Sequence, residues 1–365
     1  MENKKNRNIN LDCIRSFAVF SVICIHFFGN SQFYINNLTG KKMFIGLYLK
    51  TFFMVCVPLF LLLSGYLMNK KKIDKNYYKK IYYILLTYLV VSIIQIFFSN
   101  IFLNASISLK ESVLFILGFK THYSWYINMY IGLFMLIPFL NIIYNNLKNQ
   151  KEKQILILTF VFLTVFPSIF NAYDFKINNF FLHPTISKNY DVIDPNWWTN
   201  IWPITYYFIG CYLNEYQIKL KIKKNILLII IMTFIFSLYQ LYRSYPNNLV
   251  LDSYSSDWNG IFTIMLSIFT FILFINIKFN NLPKFLNLLI KKISEVSLPL
   301  YMISWIFDTI IYNILNKKIP IIQNRIIYFL PTVLLVFVCS FLLAIFTDYI
   351  TKSILRKVDN LCKKN

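Results

Sequence analysis

The sequence predicts an all-α protein that crosses a membrane many times, and three observations lead to this fold class. Hydrophobic residues make up 57% of the 365 positions, whereas charged residues make up only 14%. Apolar runs of about 18 residues or more recur along the chain, and such runs are long enough to span a bilayer as helices. The basic residues, which give a net charge of +22, fall in short clusters between the runs. A soluble protein with one globular core is not expected.

Ten apolar runs, located with a window of about 19 residues, predict ten membrane helices, of which the sixth is the shortest. These runs occupy residues 9–28, 43–68, 81–103, 123–144, 154–172, 200–213, 225–242, 259–279, 293–315 and 326–350.

The distribution of basic residues predicts the orientation. Of the 37 lysines and arginines, 25 lie at the termini or in the even-numbered connections when Lys278, at the end of the eighth run, is counted with the connection that follows it; 11 lie elsewhere, and Arg15 lies within the first run. Because lysine and arginine accumulate in cytoplasmic loops, both termini are predicted to be cytoplasmic. We expect a membrane domain over residues 1–350 and a basic cytoplasmic tail over residues 351–365.

Charge and cysteine patterns argue against several function classes. Basic clusters placed between apolar runs are typical of cytoplasmic loops, so no nucleic-acid partner is predicted. The six cysteines show no C-x-x-C spacing and lie mostly in apolar runs, so neither a disulfide framework nor a metal site is predicted. No A-x-A-like cleavage site follows the first run, which predicts a retained helix.

The first run, LDCIRSFAVFSVICIHFF, contains three ionisable residues at membrane depth. Each such residue costs roughly 2.5 to 3.5 kcal/mol to insert, so it is a candidate for function. Arg15 and His26 are 11 residues apart, which places them on one helix face about 16 Å apart along the axis. Asp12 precedes Arg15 by three positions, and this spacing predicts an ion pair on the helix surface. The alternative is that Arg15 snorkels to the cytoplasmic surface and His26 anchors the outer interface.

A second feature is the aromatic end of the longest outer connection, residues 173–199. This connection leads into Trp197, Trp198 and Trp202. Tryptophans at the outer boundary of the membrane form either an interfacial belt or a platform on which a sugar ring stacks outside the membrane.

The arginine, ten residues and histidine of the first run resemble the acyltransferase 3 family of integral membrane acyltransferases. Four further stretches are similar in the same order: VPLFLLLSGYLM (57–68), SWYINMYIGLFMLIPFL (124–140), WPITYYFIGCYL (202–213) and ISEVSLPLYMIS (293–304). The chain departs from the family pattern at Ser304, where a histidine is frequent. A basic residue is also frequent just before the V-P pair, and here the nearest is Lys50.

The resemblance implies an O-acetyltransferase of a surface polysaccharide or its lipid-linked precursor, in the cytoplasmic membrane of a bacterium. The abundance of Lys, Asn, Ile and Phe is typical of an AT-rich bacterial genome. The implied donor is acyl-CoA, specifically acetyl-CoA, and the partners are a glycan acceptor and membrane lipid. No metal is expected.

The predicted catalytic residues are His26, Arg15 and Asp12. The planar guanidinium of Arg15 suits a phosphate or a pantetheine carbonyl of the donor. His26 is expected to act as a general base on an acceptor hydroxyl or to accept the acyl group transiently, and histidine titrates in the range that suits either role. Ser64 is a donor-binding candidate, although a Ser-Gly pair also permits close helix packing.

Candidates for binding the acceptor are Asp308, His122 and Trp125. Asp308 lies inside the ninth run without a neighbour of opposite charge, so it requires a partner from another helix, such as Arg15 or His26. His122 and Trp125 lie at the outer boundary, where an interfacial role is the alternative. Two other functions remain open: a carrier or flippase for a lipid-linked glycan with Arg15 and Asp308 along an aqueous route, and a non-catalytic scaffold.

Overall fold

The computed structural model describes residues 7–35, 37, 39–118, 123–184, 196–250, 257–279 and 282–362. Helices account for almost all regular structure in these ranges, and paired extended backbone is limited there to one isolated bridge between Asn37 and Leu249. In this part of the chain, eight helical segments are long and apolar enough to cross a membrane. The predicted all-α, polytopic membrane fold is therefore confirmed.

Sixteen α-helices form within the described ranges. In chain order they are α1 (Ile9–Asn30), α2 (Gly40–Phe53), α3 (Cys56–Met68), α4 (Lys75–Tyr78), α5 (Ile81–Phe102), α6 (Leu109–Ile116), α7 (Trp125–Asn145), α8 (Gln150–Thr164), α9 (Pro167–Phe170), α10 (Trp202–Tyr216), α11 (Ile222–Ser244), α12 (Ile261–Asn276), α13 (Lys284–Glu295), α14 (Ser297–Lys318), α15 (Ile322–Arg325) and α16 (Phe329–Cys362).

The structure refines four of the predicted runs. The second run is interrupted between α2 and α3, because Pro58 has no amide hydrogen to bond the carbonyl of Met54. The sixth and eighth runs form α10 and α12, of 15 and 16 residues, which are shorter than the eight long spans. The last helix continues through residue 362, so the predicted tail begins as a continuation of α16.

The tightest helix crossing joins α3 and α10 at two glycines. A Cβ atom on Gly65 would overlap the backbone carbonyl of Tyr207, and one on Gly210 would overlap that of Leu62. Small residues allow helix backbones in a membrane to approach this closely. The Ser-Gly pair of the second run thus serves helix packing, which was one of its two predicted roles.

Helix α1 lies in the centre of the bundle, with α3, α13, α14 and α16 packed around it. Its buried residues include Ile14, Ala18, Ile23 and Phe28. Because neighbouring helices surround α1, Arg15 and His26 face protein atoms rather than lipid, which lowers the cost of placing them at membrane depth.

Candidate functional site

His26 of α1 is paired with Asp308 of α14. The imidazole Nδ1 lies 3.1 Å from Oδ2 of the carboxylate, and the two side chains are 17% and 1% exposed, respectively. Asp308 thereby finds the partner from another helix that its position requires. Of the two partners that the sequence allowed, the structure selects His26.

Tyr123, just before α7, contacts both members of this pair. Its hydroxyl donates a 2.8 Å hydrogen bond to the same carboxylate oxygen of Asp308. Its ring lies against the imidazole of His26, with centroids 3.8 Å apart and planes inclined by 35°. Asn30 at the end of α1 donates a 3.0 Å hydrogen bond to the Tyr123 hydroxyl. His26 is therefore held by both a carboxylate and an aromatic ring.

The hydrogen bond to Asp308 determines which nitrogen of the His26 imidazole is available to a reactant. With Nδ1–H donated to Asp308, the lone pair is on Nε2, which then serves as a proton acceptor or nucleophile. The carboxylate also stabilises the imidazolium that forms when Nε2 takes a proton. The second oxygen of Asp308, Oδ1, is buried and accepts no hydrogen bond from the part of the chain that the structure describes.

At the other end of α1, the predicted direct pair between Asp12 and Arg15 is wrong. Ser294 lies between them: its hydroxyl donates to Asp12 Oδ1 at 2.7 Å and accepts from Arg15 Nη1 at 3.2 Å. Asp12 instead binds Arg7 through two hydrogen bonds of 2.7 and 2.8 Å. These bonds are the main reason that the pKa of the Arg7 guanidinium is raised. Arg7 also pairs with Glu295.

The local sequence explains why Asp12 binds Arg7 rather than Arg15. Arg7 precedes Asp12 by five residues and lies just before the start of α1, so its long side chain extends along the first turn of the helix to the carboxylate. Asp12 is the acidic residue in the first turn of α1, so the positive end of the helix dipole also stabilises it. Asp12 does not line the cavity described next, and its contact with Arg15 is indirect, through Ser294.

A cavity of about 340 Å³ lies beside α1. Its walls come from α1, α3, α5, α7 and the junction of α13 with α14, and half of the lining side chains are apolar. The polar ones belong to Arg15, Ser64, Tyr83, Tyr126, Tyr130, Ser294, Glu295, Ser297 and Tyr301. Within the described residues the Arg15 guanidinium makes one hydrogen bond, to Ser294, so most of its donors are available to a ligand in the cavity.

The cavity ends close to His26 without including it. Along α1 its lining extends from Arg15 to Val22, one helical turn before the histidine. Tyr301 lines the cavity, and its ring centroid lies 6.4 Å from that of His26. The ring of Tyr126 stands perpendicular to that of Tyr301, at 6.1 Å. Tyr301 therefore connects the lining of the cavity to the surroundings of His26.

Three tryptophans from distant parts of the chain form a stack. Trp258, before α12, stacks on Trp125 at a centroid distance of 4.4 Å and on Trp202 at 6.4 Å. Trp125 is 37% exposed at the end of this stack. Trp197 and Trp198 are more exposed and lie in the short 3-10 helix that precedes α10. Of the predicted aromatic platform, only Trp202 joins the stack.

The remaining residues singled out in the sequence lie in different parts of the fold. Ser64 lines the cavity while its hydroxyl donates to the carbonyl of Phe60 in the same helix, at 2.8 Å. Ser304 is buried and donates to the carbonyl of Tyr301. Lys50 is buried, with its ammonium 5.1 Å from the ring centroid of Tyr34, and does not line the cavity. His122 and residues 185–195 of the outer connection lie outside the described residues.

Sequence reasoning overlooked Tyr123, Tyr301 and Trp258. Tyr301 lies within the ISEVSLPLYMIS stretch, whereas Tyr123 immediately precedes the SWYINMYIGLFMLIPFL stretch. With 26 tyrosines in the chain, residue type alone does not distinguish them from packing residues.

Comparison with known proteins gives one match. A family model named Acyl_transf_3, described as an acyltransferase domain, matches residues 8–345. No curated protein and no solved structure matches the chain.

Proposed function

Because the chain belongs to the Acyl_transf_3 family and is a membrane acyltransferase, we propose that it transfers an acyl group from acyl-CoA to a glycan hydroxyl. The observation that carries this proposal is the pairing of His26 with Asp308 one helical turn beyond a cavity that Arg15 lines. This arrangement places a proton acceptor one helical turn beyond the lining of the cavity on α1, and a guanidinium that can bind phosphate within that lining.

The donor is assigned to the cavity. Ligand pockets usually measure roughly 300 to 1,000 Å³, so a cavity of about 340 Å³ suits an extended pantetheine arm rather than the whole of CoA. The nucleotide of CoA then remains at the Arg15 end, which we assign to the lysine-rich cytoplasmic side. The guanidinium of Arg15 would bind a phosphate or an amide carbonyl of the arm. The rise of about 16 Å between Arg15 and His26 matches an extended arm between them.

The proposed reaction is direct acyl transfer with His26 as the base. Nε2 of His26 takes the proton from the acceptor hydroxyl as its oxygen attacks the thioester carbonyl. The carbon–sulfur bond breaks, and the CoA thiolate receives the proton from the imidazolium. The products are the ester and CoA thiol. Asp308 acts as a positioning residue, since it orients the ring and stabilises the imidazolium.

A two-step form of the reaction uses the same residues. Nε2 attacks the thioester first, so that an acyl-imidazole forms and CoA leaves as the thiolate. The oxygen of the acceptor hydroxyl then attacks the acyl carbonyl, the bond between the acyl carbon and Nε2 breaks to restore the imidazole, and the hydroxyl proton passes to the thiolate. Retention of acyl label on the protein without acceptor distinguishes the two forms.

We assign the acceptor to the tryptophan stack. Flat aromatic faces bind the apolar faces of sugar rings, and Trp125 presents such a face. Trp125 is two residues from Tyr123, which lies against His26, so a sugar on this face is close to the catalytic imidazole. The predicted outer-half location of His26 agrees with a surface polysaccharide or a lipid-linked precursor in a bacterial cytoplasmic membrane.

The alternative carrier function has less support. A carrier would need Arg15 and Asp308 along one aqueous route through the protein. Arg15 lines the cavity, whereas Asp308 does not line it and is buried with its carboxylate paired to His26.

The test uses purified protein, acetyl-CoA labelled in the acetyl group, and membranes from the source cell as acceptor. Wild type should label a glycan, and His26→Ala should lose about 100-fold or more of this activity. His183→Ala is the matched control, because His183 is exposed in the described loop after α9 and should retain full activity. Absence of label with wild type, or equal activity of His26→Ala, contradicts the proposal. Glycan movement without label transfer would instead favour the carrier.

A further inference from the structure

Helix α13 (Lys284–Glu295) is short and carries both lysines and exposed apolar residues. With 12 residues it cannot span a bilayer, which takes about 20 residues of helix. Most of it lies in the connection between the eighth and ninth predicted runs, which the charge distribution predicts to be cytoplasmic. We propose that α13 lies on the cytoplasmic leaflet of the membrane and that its lysines bind the phosphates of anionic phospholipids. This inference is independent of the proposed acyl transfer.

One stripe of α13 combines charged and apolar side chains. Lys284, Leu288 and Lys292 are four residues apart, so they follow one another along the same face of the helix. Phe285 neighbours Leu288 on this side, and the two apolar side chains are 71% and 62% exposed. These four residues form the exposed stripe. A helix face in hydrocarbon would not carry two lysines, and a face in water would leave two large apolar side chains unburied. The headgroup region accommodates both, since apolar residues enter the acyl boundary while lysines reach the phosphates.

The lysines of α13 lack an acidic partner within the described part of the chain. Lys284, Lys291 and Lys292 form no ion pair or side-chain hydrogen bond there. The one acidic residue of the helix, Glu295, is paired with Arg7. The helix therefore presents three uncompensated positive charges. Each lysine close to an anionic leaflet strengthens membrane binding by about fivefold.

The opposite side of α13 is attached to α1, which fixes the direction of the exposed stripe. The carbonyl of Ile290 accepts a 3.1 Å hydrogen bond from the hydroxyl of Ser16. The carbonyl of Lys291 accepts a 3.2 Å hydrogen bond from the guanidinium of Arg7. Because these bonds hold the helix against α1, it cannot rotate to bury the exposed stripe within the protein. Contact with lipid then buries the two apolar side chains of the stripe.

The experiment measures hydrogen exchange of the α13 backbone amides in the full chain. The protein is placed in nanodiscs of phosphatidylcholine or of an equal mixture of phosphatidylcholine and phosphatidylglycerol. A lipid that binds the folded helix slows exchange, because amides exchange through local opening. In wild type, phosphatidylglycerol should slow exchange in α13 by about fivefold or more. The combined substitutions Lys284→Gln, Lys291→Gln and Lys292→Gln should abolish this difference. Arginine at the same three positions should preserve it, because the charge is kept.

The combined variant Lys221→Gln, Lys223→Gln and Lys224→Gln is the matched control, because these exposed lysines lie at the start of α11 in another predicted cytoplasmic connection. It should retain the full effect of phosphatidylglycerol on α13. The inference is overturned by equal exchange of wild-type α13 in both lipids, by a full effect in the glutamine variant of α13, or by loss of the effect in the control. Equal protection by inorganic phosphate in phosphatidylcholine nanodiscs would also overturn it. None of these results bears on the proposed function, which the transfer assay tests separately.

Discussion

Nδ1 of His26 lies 3.1 Å from Oδ2 of Asp308, although 282 positions separate these residues in the sequence. The contact joins the first membrane helix to α14 and leaves Nε2 of the imidazole for a reactant. A carboxylate that accepts a hydrogen bond from Nδ1 in this way orients the imidazole ring and fixes its tautomer.

Asp308→Asn should lower kcat about 100-fold or more while leaving the KM for acetyl-CoA near its wild-type value. The amide has almost the same shape as the carboxylate, but it neither carries the charge that stabilises imidazolium nor enforces the Nδ1–H tautomer. Steady-state kinetics with labelled acetyl-CoA measures both constants. Asp348→Asn is the control, since Asp348 is also buried but binds Tyr83 and Lys352 instead. Equal losses in the two variants would argue for a structural effect.

Tyr123 contributes a ring and a hydroxyl, and two substitutions separate them. Tyr123→Phe keeps the ring against His26 and removes the hydrogen bond to Asp308, so kcat should fall about fivefold to tenfold. Tyr123→Leu removes both contributions and should lower kcat considerably further. Steady-state kinetics at equal amounts of folded protein shows whether kcat falls further in Tyr123→Leu than in Tyr123→Phe. An unchanged rate in Tyr123→Leu would exclude Tyr123 from positioning the imidazole.

Arg15→Gln should raise the KM for acetyl-CoA about tenfold or more, with a smaller change in kcat. Hydrogen bonds from a charged donor contribute about 1.5 to 3 kcal/mol, and glutamine lacks the charge and the planar fork of donors. Titration of acetyl-CoA at saturating acceptor measures the effect. Arg356→Gln, an exposed arginine of α16, should behave like wild type. A fall in kcat at unchanged KM would show that Arg15 does not bind the donor in the ground state.

Trp125→Leu should weaken acceptor use and leave the KM for acetyl-CoA unchanged. The substitution removes the exposed face of the tryptophan stack and keeps an apolar side chain. Transfer measured against increasing acceptor concentration tests this expectation. Trp197→Leu is the comparison, because Trp197 is 74% exposed and lies outside the stack. Equal acceptor dependence in both variants and wild type would remove the stack from acceptor binding.

Gly210→Ala should destabilise the fold by about 1 to 3 kcal/mol or more, because its new Cβ would overlap the carbonyl of Leu62 across the α3–α10 crossing. Gly132→Ala is the matched control. Gly132 lies in α7 with no atom within 4 Å of the added Cβ, so alanine should stabilise its helix by about 0.5 to 1 kcal/mol. Thermal unfolding in detergent, monitored as the fraction of protein that remains monodisperse, shows whether the midpoint of each variant is lower or higher than that of wild type. Similar midpoints for the two variants would contradict the close crossing.

The positions of most helices could be predicted from the sequence because a chain in hydrocarbon must satisfy its backbone hydrogen bonds within each segment. Run length and composition therefore specify the spans, and the 3.6-residue period places Arg15 and His26 on one face. Local geometry also explains the interruption between α2 and α3, which follows from the missing amide hydrogen of Pro58.

Contacts between helices could not be predicted in this way, because they depend on which faces meet and how closely the axes approach. Asp12 had Arg15 as its nearest charge on the helix surface, yet its bonds go to Arg7 and Ser294. The contact of Tyr123 with His26 and the stacking of Trp258 on Trp125 join segments with no shared periodicity.

The sequence by itself determined that this chain is a helical membrane protein whose first helix carries an arginine and a histidine along one face. The tertiary structure decided which carboxylate the histidine meets, which residues line the cavity beside it, and which tryptophans stack. The physical reason is that helix formation and membrane insertion depend on neighbours within a few turns. The site, in contrast, is assembled from side chains of five or more helices, whose positions are set by packing throughout the bundle.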